Sequence, residues 1–297
     1  MNAKNTFSIT ARNIRLSFKL ILFVAVLSII VLAVLISVFT PLFEELKSFL
    51  EINGISLQSV SWSQIIDTFI HNFSDFFAQN RTDLLTAIGY TYLVIFIARM
   101  LISATLMPTA YIVGNQMKTN FTEKFIPSFI VTLKESLLYS LLSSLIVLIL
   151  DVPFSMLILY LVAVLFPTMS IFSVTAGMIL LIVYLSIRTT ITSQWIPHII
   201  IGKLPLMTAL KRTLLDLPKT FNKSIIGVGG IVAVTFSLIL TTIVPTLFIG
   251  PIILIPLMII TLTSFSMVVY CDVYKQNYFY DAKNVVVNEI VDETDAD

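Results

Sequence analysis

The chain has 297 residues, 57% of them hydrophobic and 12% charged, with 18 Lys and Arg against 17 Asp and Glu for a net charge of +1. Soluble domains carry about 25% charged residues, so this composition excludes a water-soluble globular protein. The balanced charge gives no basis for binding nucleic acid. One cysteine, Cys271, excludes an internal disulfide and argues against a cysteine-rich metal centre.

Lys4, Arg12, Arg15 and Lys19 precede an apolar run over residues 20–39. A signal-peptide core is shorter, about 7–15 residues, and leads to small residues at a cleavage site. This run ends in Val38-Phe39-Thr40-Pro41, so it is expected to be an uncleaved first span. A bilayer core of ~30 Å needs about 20 apolar helical residues, and residues 20–43, 136–150, 152–187 and 224–271 hold no charged residue at all.

An outer loop over 41–83 follows. Within it Trp62, Ile66, Phe69, Ile70, Phe73 and Phe77 recur at helical steps, which predicts an amphipathic helix lying in the outer headgroup layer, with a lid or partner surface as the alternative. Residues 84–111 make a second span despite Arg99, and 133–150 a third, closed by Asp151-Val152-Pro153. The block 152–187 is too long for one straight span. Pro167 divides it into an outer or re-entrant segment over 154–166 and a fourth span over 170–187. The last 48-residue block makes two spans, 224–244 and 252–273, with Pro245 and Gly250-Pro251 supplying the turn. Tyr270, Tyr274, Tyr278, Phe279 and Tyr280 read as an aromatic anchor at the inner interface, and the acidic tail 281–297 as disordered.

Charge orients these six spans. With both termini inside, only Lys47 and Arg81 fall outside and Arg99 lies within a span, leaving 15 of the 18 basic residues inside. The two inner loops look alike: Lys124-Phe125-Ile126-Pro127 leads to residues 132–138, and Lys203-Leu204-Pro205 to residues 209–215, with matching apolar and basic positions. This suggests a duplicated span, elbow helix and span, the elbows covering 124–136 and 203–219. In the second elbow Leu206, Leu210, Thr213, Leu214 and Leu217 share a face, and Pro218 is expected to end the segment. Its basic residues Lys203, Lys211, Arg212 and Lys219, with Trp195 nearby, are candidates for binding lipid or a partner in the inner headgroup layer.

Trp195-Ile196-Pro197 followed by Ala209-Leu210-Lys211-Arg212-Thr213 resembles the cytoplasmic elbow of a loose group of bacterial six-span proteins. That group includes the membrane region of membrane-anchored glycerophosphodiester phosphodiesterases. The resemblance covers roughly residues 108–240. Thr213 takes the place of a serine in the pattern, while Asp216 stands where an apolar residue is usual and Pro218 near a glycine. The catalytic domain of that family would follow the last span, where this sequence has a short polar tail, so the resemblance implies a membrane region alone.

With two histidines, no H-E-x-x-H and no phosphate-binding glycine loop, the sequence offers no catalytic or metal-binding motif and no cofactor is expected. Gly227-Val228-Gly229-Gly230 reads as helix packing, with Gly229 and Ala233 forming a small-xxx-small pair. The candidate intramembrane site is Arg99, with Asp151 considered as a partner; an arginine near mid-depth costs at least ~2.5 kcal/mol unless it snorkels to a headgroup. The expected protein is all-α, with one six-span domain over 1–280, in a bacterial cytoplasmic membrane. It is expected to be no enzyme but an accessory or scaffold acting with membrane lipids, other membrane proteins or itself. The alternative is a transporter for an anionic or amphipathic small molecule, with Arg99 in the path.

Overall fold

The computed structural model describes residues 2–52, 80–243, 245–246, 249–281 and 283–287. The amphipathic pattern at 62–77 and most of the acidic tail lie outside the described residues. Among the described residues ten helices and one two-stranded ribbon run in the order α1 Asn2–Arg12, α2 Ile14–Ile52, α3 Arg81–Ala104, α4 Leu106–Thr119, α5 Phe125–Val131, α6 Leu133–Thr192, α7 Trp195–Ile200, α8 Leu206–Leu215, α9 Leu217–Ile243, α10 Ile249–Val273, β1 Tyr278–Phe279 and β2 Val285–Val286. Six segments among them are long and apolar enough to cross a membrane: Ile14–Phe49, Arg81–Thr119, Leu133–Ile158, Thr175–Ile200, Leu217–Thr242 and Ile249–Val273. The chain forms two compact units, Val26–Arg99 and the remainder, Met1–Ala25 with Met100–Asp297.

Pro245 lies in the turn expected between the last two spans, but other prolines do not mark breaks. Pro41 lies inside α2, where Thr40 donates its hydroxyl to the Ile36 carbonyl at 2.7 Å. Pro153 and Pro167 lie inside α6. Helical backbone in lipid has no water to turn to, so a proline there bends the helix more readily than it ends it. Pro218 starts α9 instead of ending α8, because a first-turn proline loses no hydrogen bond. Gly250 and Pro251 likewise belong to the first turn of α10.

Although α6 is helical from Leu133 to Thr192, it doubles back on itself. The Tyr184 hydroxyl donates to Asp151 at 2.7 Å, and the rings of Phe154 and Tyr184 stack with centroids 3.9 Å apart. In a straight helix those 33 residues would span ~50 Å. Its two arms are therefore separate crossings, Leu133–Ile158 and Thr175–Ile200. This corrects the outer or re-entrant segment expected at 154–166: Phe154 belongs to the first arm and packs on the second. The fourth span begins at Thr175, later than the expected 170, and runs on to Ile200, past the expected 187.

In the larger unit the core gathers at the end where the connecting helices lie. Ile9 of α1, Met107, Ala110 and Met117 of α4, Tyr139 of α6, Trp195 of α7, Ala209 of α8, Met267 and Cys271 of α10 and Tyr278 of β1 form one cluster. The last span, α10, is its centre: over half of its apolar window is buried, and it packs against α1, α4, α7 and α9. A helix apolar on every side needs neighbours on every side. Tyr270 and Tyr278 are buried in this cluster and Tyr274 packs half-buried against it; Tyr278 accepts a hydrogen bond from Asn5 at 2.9 Å, and β1 pairs with β2. The ordered strand β2 falls within what the sequence suggested was a disordered tail.

Close packing of α9 on α10 occurs at Gly227. A Cβ there would run into the Phe265 ring, whereas Gly229 would meet only Ser186 at 3.8 Å and Gly230 nothing. The expected Gly229–Ala233 pair is therefore not the contact. Gly227→Ala is expected to destabilise the protein by ~1–3 kcal/mol through displacement of Phe265, and Gly230→Ala to be neutral or slightly stabilising. Thermal unfolding in detergent measures both; equal effects would show that α9 does not lie this close to α10.

Candidate functional site

Each inner-loop candidate ends in a one-residue break before a span: α5 at Thr132 and α8 at Asp216. The two segments matched in the sequence sit differently on this plan. Residues 132–138 begin at the break and run into α6, while residues 209–215 end before Asp216. What recurs is the short helix, the break and the long helix, and not that register.

The buried face of α8 carries Ala209, Thr213 and Asp216 at its end, with Leu206 and Leu210 packed against the core. Leu214, expected on this face, is exposed with Met207 and Leu215, beside exposed Lys211, Arg212 and Lys219. Helical geometry decides this: Leu214 stands one residue from Thr213, about 100° around the axis. Lys203 is exposed in a left-handed turn with φ 52°. Trp195 is no lipid contact, being 1% exposed. Its indole N–H donates to the Leu206 carbonyl at 3.0 Å, and its ring meets Tyr139 edge-on.

Asp216 is the polar centre of this end. Its carboxylate accepts from the Tyr274 hydroxyl and from Arg212 Nε at 2.7 Å, and His198 Nε2 lies 3.8 Å away. His198 packs edge-on against Tyr270, and Gly202 leaves room for the Tyr270 hydroxyl. His198 comes from α7, Arg212 from α8 and Tyr274 from the residue after α10, so Asp216 ties three parts of the chain together. Burial, and then donation to Asp216, push the Tyr274 hydroxyl well above the ordinary tyrosine value. Raised by Asp216, the Arg212 guanidinium is held even more firmly in its charged form. Neither His198 nor Asp216 is a sequence candidate; a small or polar residue every three or four positions through Ala209, Thr213, Asp216 and Thr220 is the available signal.

Inside the membrane the structure pairs Asp151 with Arg188 across the α6 hairpin, and Tyr184 also donates to the carboxylate. The side chains of Arg188 and Asp151 are 17% and 23% exposed. The charge count from sequence places Arg188 among the inner cations, and Asp151 is considered for Arg99 without any partner being favoured. Arg99 instead belongs to the smaller unit, half-buried with its Nε enclosed. That unit contains a cavity of about 460 Å³ lined by Phe39, Ile88, Thr91, Tyr92 and Ile95, none of them charged.

Among the described residues no group of three or more His, Cys, Asp or Glu is placed to hold a metal. The fold and these sites define an all-α multi-pass membrane protein. No family model, curated protein or solved structure matches the chain.

Proposed function

We propose that this protein is a non-enzymatic accessory or scaffold of a bacterial cytoplasmic membrane, both termini cytoplasmic, that acts with anionic lipid at its inner face. The exposed side of α8 supports this reading. Met207, Leu214 and Leu215 stand with Lys211 and Arg212 on a short helix one residue from a span, and Lys219 is exposed at the start of that span. Apolar groups interleaved with basic ones suit the headgroup boundary, where each Lys or Arg adds ~1 kcal/mol with anionic lipid. Helix α5 repeats the arrangement, with exposed Ile126, Ile130 and Val131 between Lys124 and Lys134. Placing Arg188 in a span removes one cation from the inner count and leaves the asymmetry that orients the chain. The resemblance to the membrane region of glycerophosphodiester phosphodiesterases agrees with a membrane module of this kind.

Arg212 holds Asp216, so the test leaves it in place. Lys203, Lys211 and Lys219 are replaced by Gln, and enrichment of a fluorescent anionic lipid around the full-length protein is measured in mixed vesicles. The expected loss is up to ~3 kcal/mol in total, diminishing at high salt. Equal enrichment by both proteins would mean that α8 docks against protein and not lipid.

A further inference from the structure

The first helix of the chain is inside out. The face that α1 and the following Asn13 turn into the protein is mostly polar: Asn5, Thr6 and Asn13 are each buried, with Ile9 between them. Side-chain hydrogen bonds hold that face in place. Asn5 donates to the Tyr278 hydroxyl, Asn13 to the side-chain carbonyl of Gln116 and Arg12 to that of Asn120.

The opposite face is apolar. Phe7 is 77% exposed and Phe18 68%, with Ile14 exposed between them. Steps of seven and four residues keep all three on one side of a helix, and exposed Ala3 and Ala11 fall on the same side. The break at Asn13 preserves this phase, because the Asn13 carbonyl still accepts from the N–H groups of Leu16 and Ser17. Lys4, Arg15 and Lys19 are exposed along one edge of the face, and the chain has no acidic residue before Glu44.

A helix beside water turns its apolar side to the core and its polar side outward. Here the arrangement is reversed, so the medium against the outer face is apolar. Its position says which medium. Leu16 and Leu20 share a cluster with Ile259 and Ile260, α1 packs along α10, and Asn5 reaches Tyr278, so α1 prolongs the first span beside the end of the last. The bilayer already surrounds both spans, and a row of cations without anions complements acidic headgroups.

We propose that the outer face of α1 lies in the inner leaflet, with Phe7 against acyl chains and Lys4, Arg15 and Lys19 on the phosphates of anionic phospholipid. The N-terminal helix is then a third lipid-binding element, with α5 and α8. The proposal rests on the reading that the N-terminus meets an anionic inner leaflet, but it concerns residues that the α8 experiment leaves untouched.

A nitroxide on Phe7→Cys, in a Cys271→Ser background of the full-length protein in anionic vesicles, reads the medium directly. Dissolved oxygen concentrates in hydrocarbon and a neutral nickel chelate in water. The expected result is a collision ratio close to that of Leu22→Cys, a lipid-facing control within the span, and far from that of exposed Lys275→Cys. Ready access of the nickel chelate would put α1 in water, and exclusion of both reagents would put a protein against it; either overturns the proposal. Ala11→Cys, on the same face, gives the same reading if the Phe7 variant fails to fold. Replacing Lys4, Arg15 and Lys19 by Gln should lower enrichment of a fluorescent anionic lipid by up to about fivefold for each cation. Unchanged enrichment would overturn the assignment of anionic lipid even with Phe7 in hydrocarbon. A loss here with none from the α8 substitutions would separate this proposal from that one.

Discussion

Arg188→Leu is expected to be among the most damaging single substitutions in the chain, lowering stability by ~3–5 kcal/mol, because it strands the Asp151 carboxylate inside the membrane. Asp151→Leu should do comparable harm by stranding the guanidinium. Joining the two changes should restore much of the loss. A buried pair replaced by apolar groups forfeits its attraction but also its desolvation cost, and in measured cases the exchange is neutral or favourable. The doubly substituted protein keeps the Phe154–Tyr184 stack, which also holds the arms together. Thermal unfolding of wild type, both single variants and the double variant closes the cycle, and contacting charges should show clear coupling. Additive losses, with no recovery in the double variant, would mean that the two side chains are solvated independently and that apolar packing alone folds the hairpin.

The spans were legible because length and apolarity are local properties. Six are expected and six are found among the described residues, with ends shifted where a proline does not end its helix. Which side of each span turns inward was much less legible. In lipid both the exposed and the buried faces are apolar, so periodicity separates them poorly, and the informative residues are the small polar ones. Ser136, Ser140 and Ser144 stand at four-residue steps in plain view, yet a serine stripe states only that a neighbour exists. Asp151 is a candidate in the sequence, but its partner lies 37 residues on, across the hairpin between the third and fourth spans and just past the expected end of the fourth. Trp195 shows the opposite failure. Its amphipathic ring suits an interface equally well, and only the Leu206 carbonyl beside it reveals that it is core.

Asp216 should prove more important to the protein than any exposed cation of α8. Asp216→Ala withdraws the acceptor for both Tyr274 and Arg212; Arg212 is half-exposed and can turn to water, whereas the Tyr274 hydroxyl loses its strongest partner. Losing charge-assisted bonds of this kind costs about 1.5–3 kcal/mol each when a buried donor is left behind. The expected order of destabilisation is thus Asp216→Ala above Tyr274→Phe above Arg212→Gln, with Lys211→Gln near zero. Tyr274 adds a pH signature. Its folded value lies above the ordinary 10.0, so the folded chain keeps this proton at a pH where the unfolded chain releases it. Stability from this group is therefore complete below about pH 10 and declines as the pH rises further. Tyr274→Phe should begin less stable yet fall less steeply above pH 10, so that the two melting-temperature curves converge. Curves that stay parallel through that range would show that Tyr274 ionises as freely in the folded protein as in the unfolded one, and that Asp216 is not held as described.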